Sequence, residues 1–554
     1  MPKLLVNLDA LIEREDFDAR ADRPDDREVV PSFRVSDLER GSLLSLALRK
    51  PDFQRETAHW RPSTIAEMIQ SFVDGDTIPS VILWRSPNNG NVFVIDGAHR
   101  LSALMAWVRD DYGDGPQSQD FFQGRIPQEQ LRAAEKTRQL VSQIGTYAEL
   151  SRAAKAPHPS LPPQIVARAK TLGVTPINLQ WVKGDTQKAE QSFFKINQQG
   201  APIDATEWLM IEARDKPIAI ATRALLRAGG GHKYWVKFSA DARQQVESLA
   251  AEIAALMFEP QLKEPIRTLD LPPAGPGYSG DAVRLLAEFV SIANGVIIDK
   301  HGVGAARRKA PVYEATQQPI EIDTDGQATL RYLKNVRRLA SRIAGDEPRS
   351  LGLHPAVYFY GDTGKFQAAA YLAIVRLFQG FELERDGFLK FTSLRRAFEE
   401  FLVAHRHLPT AIVNRYGGGT RRVDAFLALF STVLDGVRAG RDEETIRRTV
   451  ADHPKLKFLR EAASTSGEYG SEFAKSTKVL TFLREALSAA APRCAFCKAR
   501  IDAGKSMTVD HDTPKRDGGD GSPENARLMH PFCNSGAKES QQARSAHKAN
   551  DERS

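Results

Sequence analysis

The sequence predicts an α+β protein of several domains, and three observations lead there. Strand and helix signals mingle over the first 110 residues, amphipathic helices succeed one another from 217 to 490, and all three cysteines fall in one short C-terminal stretch. The 554-residue chain also exceeds the roughly 250–300 residues at which single cores stop growing.

Composition excludes more than it selects. A hydrophobic fraction of 42% and a charged fraction of 26% are ordinary for soluble globular protein. A net charge of +6 and a pI near 9.0 permit an anionic partner without demanding one. No run of about 18 apolar residues occurs, so no membrane span or membrane partner is expected. Leu4-Leu5-Val6 is soon followed by Glu13, Arg14, Glu15, Asp16 and Asp18, which leaves no apolar core for a signal peptide. Three clustered cysteines make no disulfide framework and fit a reducing cytoplasm, where the protein is expected.

Residues 80–84 and 91–95 read as two strands joined through the turn cluster Pro87-Asn88-Asn89-Gly90. A helix over 101–108 follows Asp96-Gly97, residues 113–119 read as a loop, and a charged stretch to about 163 reads as exposed helix. Residues 187–214 form helix, a break at Gln199-Gly200-Ala201-Pro202, then helix. Apolar periodicity marks helices at 281–292, 330–344, 366–378 and 423–439, with loops at 271–279 and 317–326. In the last segment 505–509 and 526–529 read as strands, Asp517-Gly518-Gly519-Asp520-Gly521 as a loop, and Pro531 as the start of a short helix. The tail beyond about 541 is polar and expected to fray.

The C-terminal chemistry is the sharper signal. Cys494-Ala495-Phe496-Cys497 and His530-Pro531-Phe532-Cys533 offer three thiolates and one imidazole. That set suits a closed tetrahedral zinc site, which lets a unit too small for a large core fold. A zinc ribbon for protein contacts is the competing reading, and it leaves the polar residues between the pairs unexplained. Asp510-His511 closes a strand-like run, where adjacent side chains diverge. His511 can then face a phosphate while Asp510 reaches a metal. Phosphodiester hydrolysis needs a base for water, a cation for developing charge, and a group that holds the base. His511, a divalent ion on Asp510 and Asn534, and Asn525 supply the three.

Here the chain resembles the HNH endonucleases, which have a ββα-metal fold. The matching pattern is Cys494-x-x-Cys497, Val509-Asp510-His511, Pro514, Gly518-Gly519, Glu524-Asn525-Ala526-Arg527-Leu528-Met529 and Cys533-Asn534. The resemblance implies His511 as general base and Asn525 as the residue orienting it. It implies Asp510 and Asn534 as ligands of one catalytic Mg²⁺ or Mn²⁺, and Lys538 as a phosphate contact. His530 stands where many relatives carry a cysteine. Imidazole ligates zinc equally well, so a structural Zn²⁺ on Cys494, Cys497, His530 and Cys533 is expected.

A second ordered series lies near the N-terminus: Gln54-Arg55, Trp60, Ile78-Pro79-Ser80-Val81-Ile82-Leu83 and Asp96-Gly97-Ala98-His99-Arg100. Gly97 lets backbone approach a ligand, and the helix after it offers free amides to an anion. Arg55 and Arg100 can grip phosphates in a forked geometry. Alternatively, Arg55, Asp96 and Arg100 form an ion network that pins the module.

With Phe194-Lys195-Ile196-Asn197, Gly200 and Glu207, this series resembles the N-terminal domain of GmrSD-type restriction enzymes, itself similar to the ParB/sulfiredoxin fold. The resemblance implies an α/β domain that binds nucleotide through Gln54, Arg55, Asp96, Gly97, His99, Arg100 and Asn197 and senses DNA or regulates the nuclease. Ala98 replaces the family's Gln, so an NTP could be bound without turnover.

The expected organisation is an extension over 1–29, a GmrSD-type N-terminal domain over 30–216, a helical middle over 217–490, an HNH domain over 491–541 and a polar tail over 542–554. The expected function is a metal-dependent endonuclease that nicks or cuts DNA, modified or phage-derived, in a bacterial anti-phage or restriction system. The alternative is a nucleotide-gated DNA-binding switch, or an NTPase whose HNH unit needs a partner. A homodimer and a defence-system partner both stay open.

Other features carry less. Gly361-Asp362-Thr363-Gly364-Lys365 lacks phosphate-loop spacing, and Phe366 stands where Ser or Thr would hold Mg²⁺, so a turn is expected. Arg307-Arg308-Lys309 and Arg421-Arg422 read as solvated faces before DNA contacts. His405 and His407 lack nearby Cys or acidic partners and are not read as ligands.

Overall fold

The structure, a computed structural model, describes residues 4–538 apart from 16–27, 52–53, 55–56, 59, 88, 123, 125, 127, 157, 159, 200–205, 207–209, 211–212, 231–232, 264, 278–279, 300–311, 316–317, 417–418 and 463–474. The architecture is α+β in two compact units. One comprises Met1–Arg243, Ile298–Tyr313 and Ile320–Gly326, the other Gln244–Ile297, Glu314–Pro319 and Gln327–Ser554.

The first unit is built on a mixed six-stranded sheet. Its strands are β1 (Glu13–Glu15), β2 (Ser32–Phe33), β3 (Leu48–Pro51), β4 (Val81–Arg85), β5 (Val92–Asp96) and β6 (Ile177–Trp181), in the order β1-β3-β5-β4-β6-β2. β4 and β5 pair antiparallel as a hairpin, whereas β3 runs parallel to β5 and β6 parallel to β4. Val92, Phe93, Val94 and Ile95 are all buried, as an inner strand covered on both faces requires.

Helix α1 (Pro62–Asp74) starts on a proline at N1 and buries Ile65, Ala66, Ile69, Phe72 and Val73, the i, i+3, i+4 stripe of an amphipathic helix. It stops at Gly75, whose φ of +80° suits glycine. Helix α2 (Ala98–Arg109) begins directly after Gly97, earlier than the expected 101, because Gly97 turns the chain at φ +95°. Further along lie α3 (Gln128–Ile144) and α4 (Thr186–Gln199).

The expected loop at 113–119 is half helix: Pro116–Phe121 is helical. The Asp111 carboxylate accepts from the N–H groups of Gly113, Gly115 and Ser118 at 3.0–3.1 Å, and Pro116 presets φ at N1. Gly and Pro here mark a helix start. The break at 200–202 lies outside the described residues.

The second unit is mainly helical, with α5 (Gly280–Ala293), α6 (Gln327–Ile343), α7 (Ala368–Leu383), α8 (Gly387–Ala404) and α9 (Thr420–Arg438). Phe378, Phe381, Phe391, Phe398 and Phe430 meet in tilted and edge-on pairs within its core. The C-terminal hairpin of β7 (Thr508–His511) and β8 (Ala526–Met529) belongs to this unit.

β7 starts at Thr508, later than the expected 505, because the residues before it form a turn, with Ser506 N donating to Asp502 O at 2.9 Å, and are held by other segments. Lys505 Nζ donates to the carbonyls of Ala255 and Leu256 at 2.6 and 3.0 Å, and Ser506 Oγ accepts from Gly345 N at 2.9 Å. Phe532 N donates to Ser350 O at 2.9 Å and Ser535 Oγ to Pro348 O at 3.0 Å. Among the described residues no helix is long and apolar enough to cross a membrane.

Candidate metal centre and hairpin

The first cysteine pair sits on a tight knuckle. Lys498 N donates to Cys494 O and Cys494 N to Ala499 O, each at 2.9 Å, with Lys498 in the left-handed region at φ +59°. The second pair opens the C-terminal helical turn, and Cys494, Cys497, His530 and Cys533 place their ligand atoms within 4.8 Å of one another.

Tetrahedral zinc, with Zn–S near 2.3 Å and Zn–N near 2.0 Å, separates its ligand atoms by roughly 3.5–3.8 Å. His530 Nδ1 lies 3.4 Å from Cys497 Sγ and 3.9 Å from Cys533 Sγ. The residues therefore fit a metal such as zinc. His530 Nε2 donates to Arg500 O at 2.9 Å, which leaves Nδ1 as the ligating nitrogen. Burial, aided by the Arg395 charge, lowers the His530 pKa and keeps the imidazole neutral, the form that binds metal. The thiols compete for one negative charge. Hydrogen bonds from Cys497 and Cys533 pull Cys494 down, while hydrogen bonding with Cys494 pushes Cys497 up to about 12 and Cys533 higher still. A central cation removes that competition.

Beneath the cluster lies a buried network. Arg395 and Glu399, both on α8 and fully buried, pair at 2.8 Å. Arg395 also donates to the carbonyls of Leu351 and Gly352, and Tyr358 Oη donates to Glu399 at 3.0 Å. Glu399 Oε2 accepts from Arg500 N at 2.8 Å.

The hairpin pairs Asp510 with Arg527 and His511 with Ala526. Because pairing continues through His511, alternation sends Asp510 and His511 to opposite faces. Asp510 shares its face with Thr508, and both meet the C-terminal helical turn: Lys538 Nζ is 2.7 Å from Asp510 Oδ2, and Asn534 Nδ2 is 3.5 Å from Thr508 Oγ1. Arg527 approaches the same Asp510 oxygen at 3.2 Å and gives its other nitrogen to Asp512 at 2.8 Å. Burial raises the Asp510 pKa, but Lys538 and Arg527 outweigh it and hold the carboxyl below its usual range. Asn525 makes no side-chain hydrogen bond to His511 among the described residues. It clips the intervening loop instead, accepting from Thr513 N at 2.7 Å and donating to Thr513 O at 3.1 Å and Asp520 O at 2.8 Å.

In the first unit, Gln54, Asp96, Gly97, His99 and Arg100 gather where β5 hands over to α2. Gln54 Nε2 donates to Val94 O at 3.1 Å, while its buried Oε1 has no hydrogen-bond partner among the described residues. A Cβ on Gly97 would come within 3.0 Å of Arg100 Nη2 and 3.1 Å of Val81 Cγ2, so only glycine fits without adjustment. Arg100 Nη2 donates to Asp96 Oδ2 at 2.8 Å and Ser80 O at 3.2 Å, a half-buried pair. The His99 ring stacks on Trp60 at 5.6 Å. Arg55 lies outside the described residues, and Asn197 falls within α4 with its side chain outside them.

Several groups escaped the sequence reading. Buried Asp9 receives Lys50 Nζ at 2.7 Å, Arg14 Nη2 at 2.8 Å and Arg227 Nη2 at 3.2 Å. Burial alone would raise the Asp9 pKa, yet Arg14, Lys50 and Arg227 hold it well below the usual range. Burial, partly offset by Asp9, brings Lys50 down to about 8. These four come from three stretches of chain, 9–14, 50 and 227, so no single motif spacing announces them. His405 does have an acidic neighbour, contrary to expectation: its Nε2 is 3.0 Å from Glu443 Oε1, supplied by a later helix. Arg422 caps carbonyls of Tyr416 and Val413. Residues 361–365 form a turn closed by Gly361 N to Lys365 O at 3.0 Å, and 307–309 lie outside the described residues.

Residues 35–212 match the family model of the GmrSD restriction endonuclease N-terminal domain. The matched stretch includes Gln54, the Asp96-to-Arg100 turn and α4, and ends before the Cys3His segment. The chain matches no curated protein and no solved structure.

Proposed function

We propose that this chain is a metal-dependent HNH-type DNA endonuclease of a bacterial restriction or anti-phage system, with an N-terminal module that senses nucleotide or DNA state. The observation carrying this reading is the hairpin that sets Asp510-His511 on β7, clips their loop with Asn525 and roots it beside a Cys3His cluster. The match to a restriction-endonuclease N-terminal domain supports DNA as the substrate.

In this reading zinc on Cys494, Cys497, His530 and Cys533 serves the fold. Asp510 and Asn534 offer a carboxylate and an amide oxygen on neighbouring elements, which suits Mg²⁺ or Mn²⁺ that keeps most of its waters. A divalent ion there would neutralise charge developing on the phosphate and departing oxygen. His511 takes the proton of the attacking water at an imidazole nitrogen. Asn525 fixes the loop that follows the base, and so orients His511 through backbone. Gln54, Arg55, Asp96, Gly97, His99, Arg100 and Asn197 form the nucleotide site of the N-terminal module, with Arg100 and the amides after Gly97 directed to phosphate. The protein acts in the cytoplasm, alone, as a homodimer or with a defence-system partner.

A second reading has one observation in its favour. One oxygen of the Asp510 carboxylate, Oδ2, is already paired with both Lys538 and Arg527, as in a hairpin that binds DNA without cutting it. Cleavage of supercoiled plasmid with Mg²⁺, with and without NTP and on modified and unmodified DNA, separates the two. Wild type nicks or linearises the plasmid, and His511→Ala does neither while retaining zinc. Equal cutting by both proteins would remove His511 from the mechanism. Nucleotide-dependent DNA affinity without strand breakage favours the binding switch.

A further inference from the structure

The ion cluster at Asp510 has the composition of an occupied cation seat. Asp510 Oδ2 takes Lys538 Nζ at 2.7 Å and Arg527 Nη2 at 3.2 Å, and Arg527 is shared with Asp512 at 2.8 Å. Asp510 is largely buried, with its side chain 12% exposed, and Lys538 is 20% exposed. The two carboxylates and two cations cancel. Asn534 and Lys538 lie four residues apart on one helical turn, so they share a face, and each meets one of the alternate residues Thr508 and Asp510.

We infer, resting on the nuclease reading above, that Lys538 is a positioning residue that holds the Asp510 metal seat in the free protein and turns to the DNA phosphate when a divalent ion takes the carboxylate. An ammonium at 2.7 Å on Oδ2 neutralises the carboxylate and so competes with a divalent ion for its charge. Adding a dication to a neutral cluster leaves two uncompensated charges in a half-buried place. A phosphodiester accepts one of them, and Lys538, on its flexible four-carbon stem, can swing to that phosphate. Divalent ion and DNA therefore bind in a mutually dependent way, and linkage makes the dependence reciprocal. Arg527, facing Asp510 across the hairpin and tied to Asp512, stays in place.

The test measures Mn²⁺ binding by the electron paramagnetic resonance signal of the free ion, on the full chain in a His511→Ala background so that DNA survives. Duplex DNA raises Mn²⁺ affinity of the parent by roughly five-fold or more. Lys538→Met raises affinity without DNA to a similar degree and erases the DNA enhancement, whereas Lys538→Arg behaves as the parent. Zinc content and thermal midpoint confirm that each variant is folded. If Asp510→Asn abolishes Mn²⁺ binding but Lys538→Met leaves DNA-free affinity unchanged or weaker, the inference fails and the nuclease reading stands. If Mn²⁺ binding is indifferent to Asp510→Asn with and without DNA, the metal-dependent nuclease reading fails, and this inference with it.

Discussion

Glu399 and His530 are joined through the two backbone groups of one residue: Arg500 N donates to Glu399 Oε2 at 2.8 Å, and Arg500 O accepts from His530 Nε2 at 2.9 Å. A helix of the second unit thus fixes the rotation of a candidate metal ligand. The link has a stability side and a metal side, because Glu399 also neutralises the fully buried Arg395.

Glu399→Ala leaves Arg395 charged and unpaired and frees the Arg500 amide. The expected loss is about 3–5 kcal/mol of stability, the usual cost of breaking a buried pair. Zinc affinity falls by roughly ten- to hundredfold, as when an outer support of a metal-ligating histidine is lost. Thermal unfolding and chelator competition measure the two effects, and a stability loss with unchanged zinc affinity would mean that the strut does not reach the metal.

Asn525→Ala removes three hydrogen bonds that close the loop after His511. A base displaced by about 1 Å can cost on the order of a hundredfold in rate. Plasmid nicking should fall by that order while zinc content is retained. Unimpaired nicking would dissociate the loop clip from His511.

Asp502 carries a pH signature. It is buried, its Oδ2 has no hydrogen-bond partner among the described residues, and burial pushes its pKa up from 3.8 to about 6. Below pH 3.8 both folded and unfolded chains hold the proton. Between 3.8 and about 6 only the folded chain does, so this group's contribution to stability falls as pH rises, then levels off. Asp502→Asn should therefore stabilise the protein by roughly 1–3 kcal/mol near neutral pH, with the gain shrinking toward about pH 4. Unfolding midpoints at the two pH values decide it, since a pH-independent gain would point to packing.

Arg100→Ala tests the N-terminal module. The Asp96–Arg100 pair is half exposed, so its loss should cost under about 1 kcal/mol of stability. A phosphate that relied on the guanidinium would lose about 1.5–3 kcal/mol, or roughly ten- to hundredfold in affinity. Titration with a fluorescent nucleoside triphosphate reads this directly. A large drop in thermal midpoint with unchanged nucleotide binding would leave Arg100 a structural residue.

The sequence by itself determined what depends on local order. Cys494-x-x-Cys497 and His530-x-x-Cys533 could be paired because each ligand pair lies within one turn of chain, and the tertiary structure only had to bring two turns together. The β4–β5 hairpin and helices α5, α6, α7 and α9 were legible for the same reason, since period and turn residues are local. Only the tertiary structure decided the rest. The Pro116–Phe121 helix depends on the Asp111 carboxylate, which satisfies amides that composition assigns to a loop. Asp510 meets Lys538 and Arg527, and Asn525 meets the Thr513 backbone, through register and helix placement that no motif spacing encodes. The Asp9 cluster and the Glu399 strut join residues far apart in the chain. Burial makes such charges find each other, because an unpaired charge away from water costs more than the ordering needed to pair it.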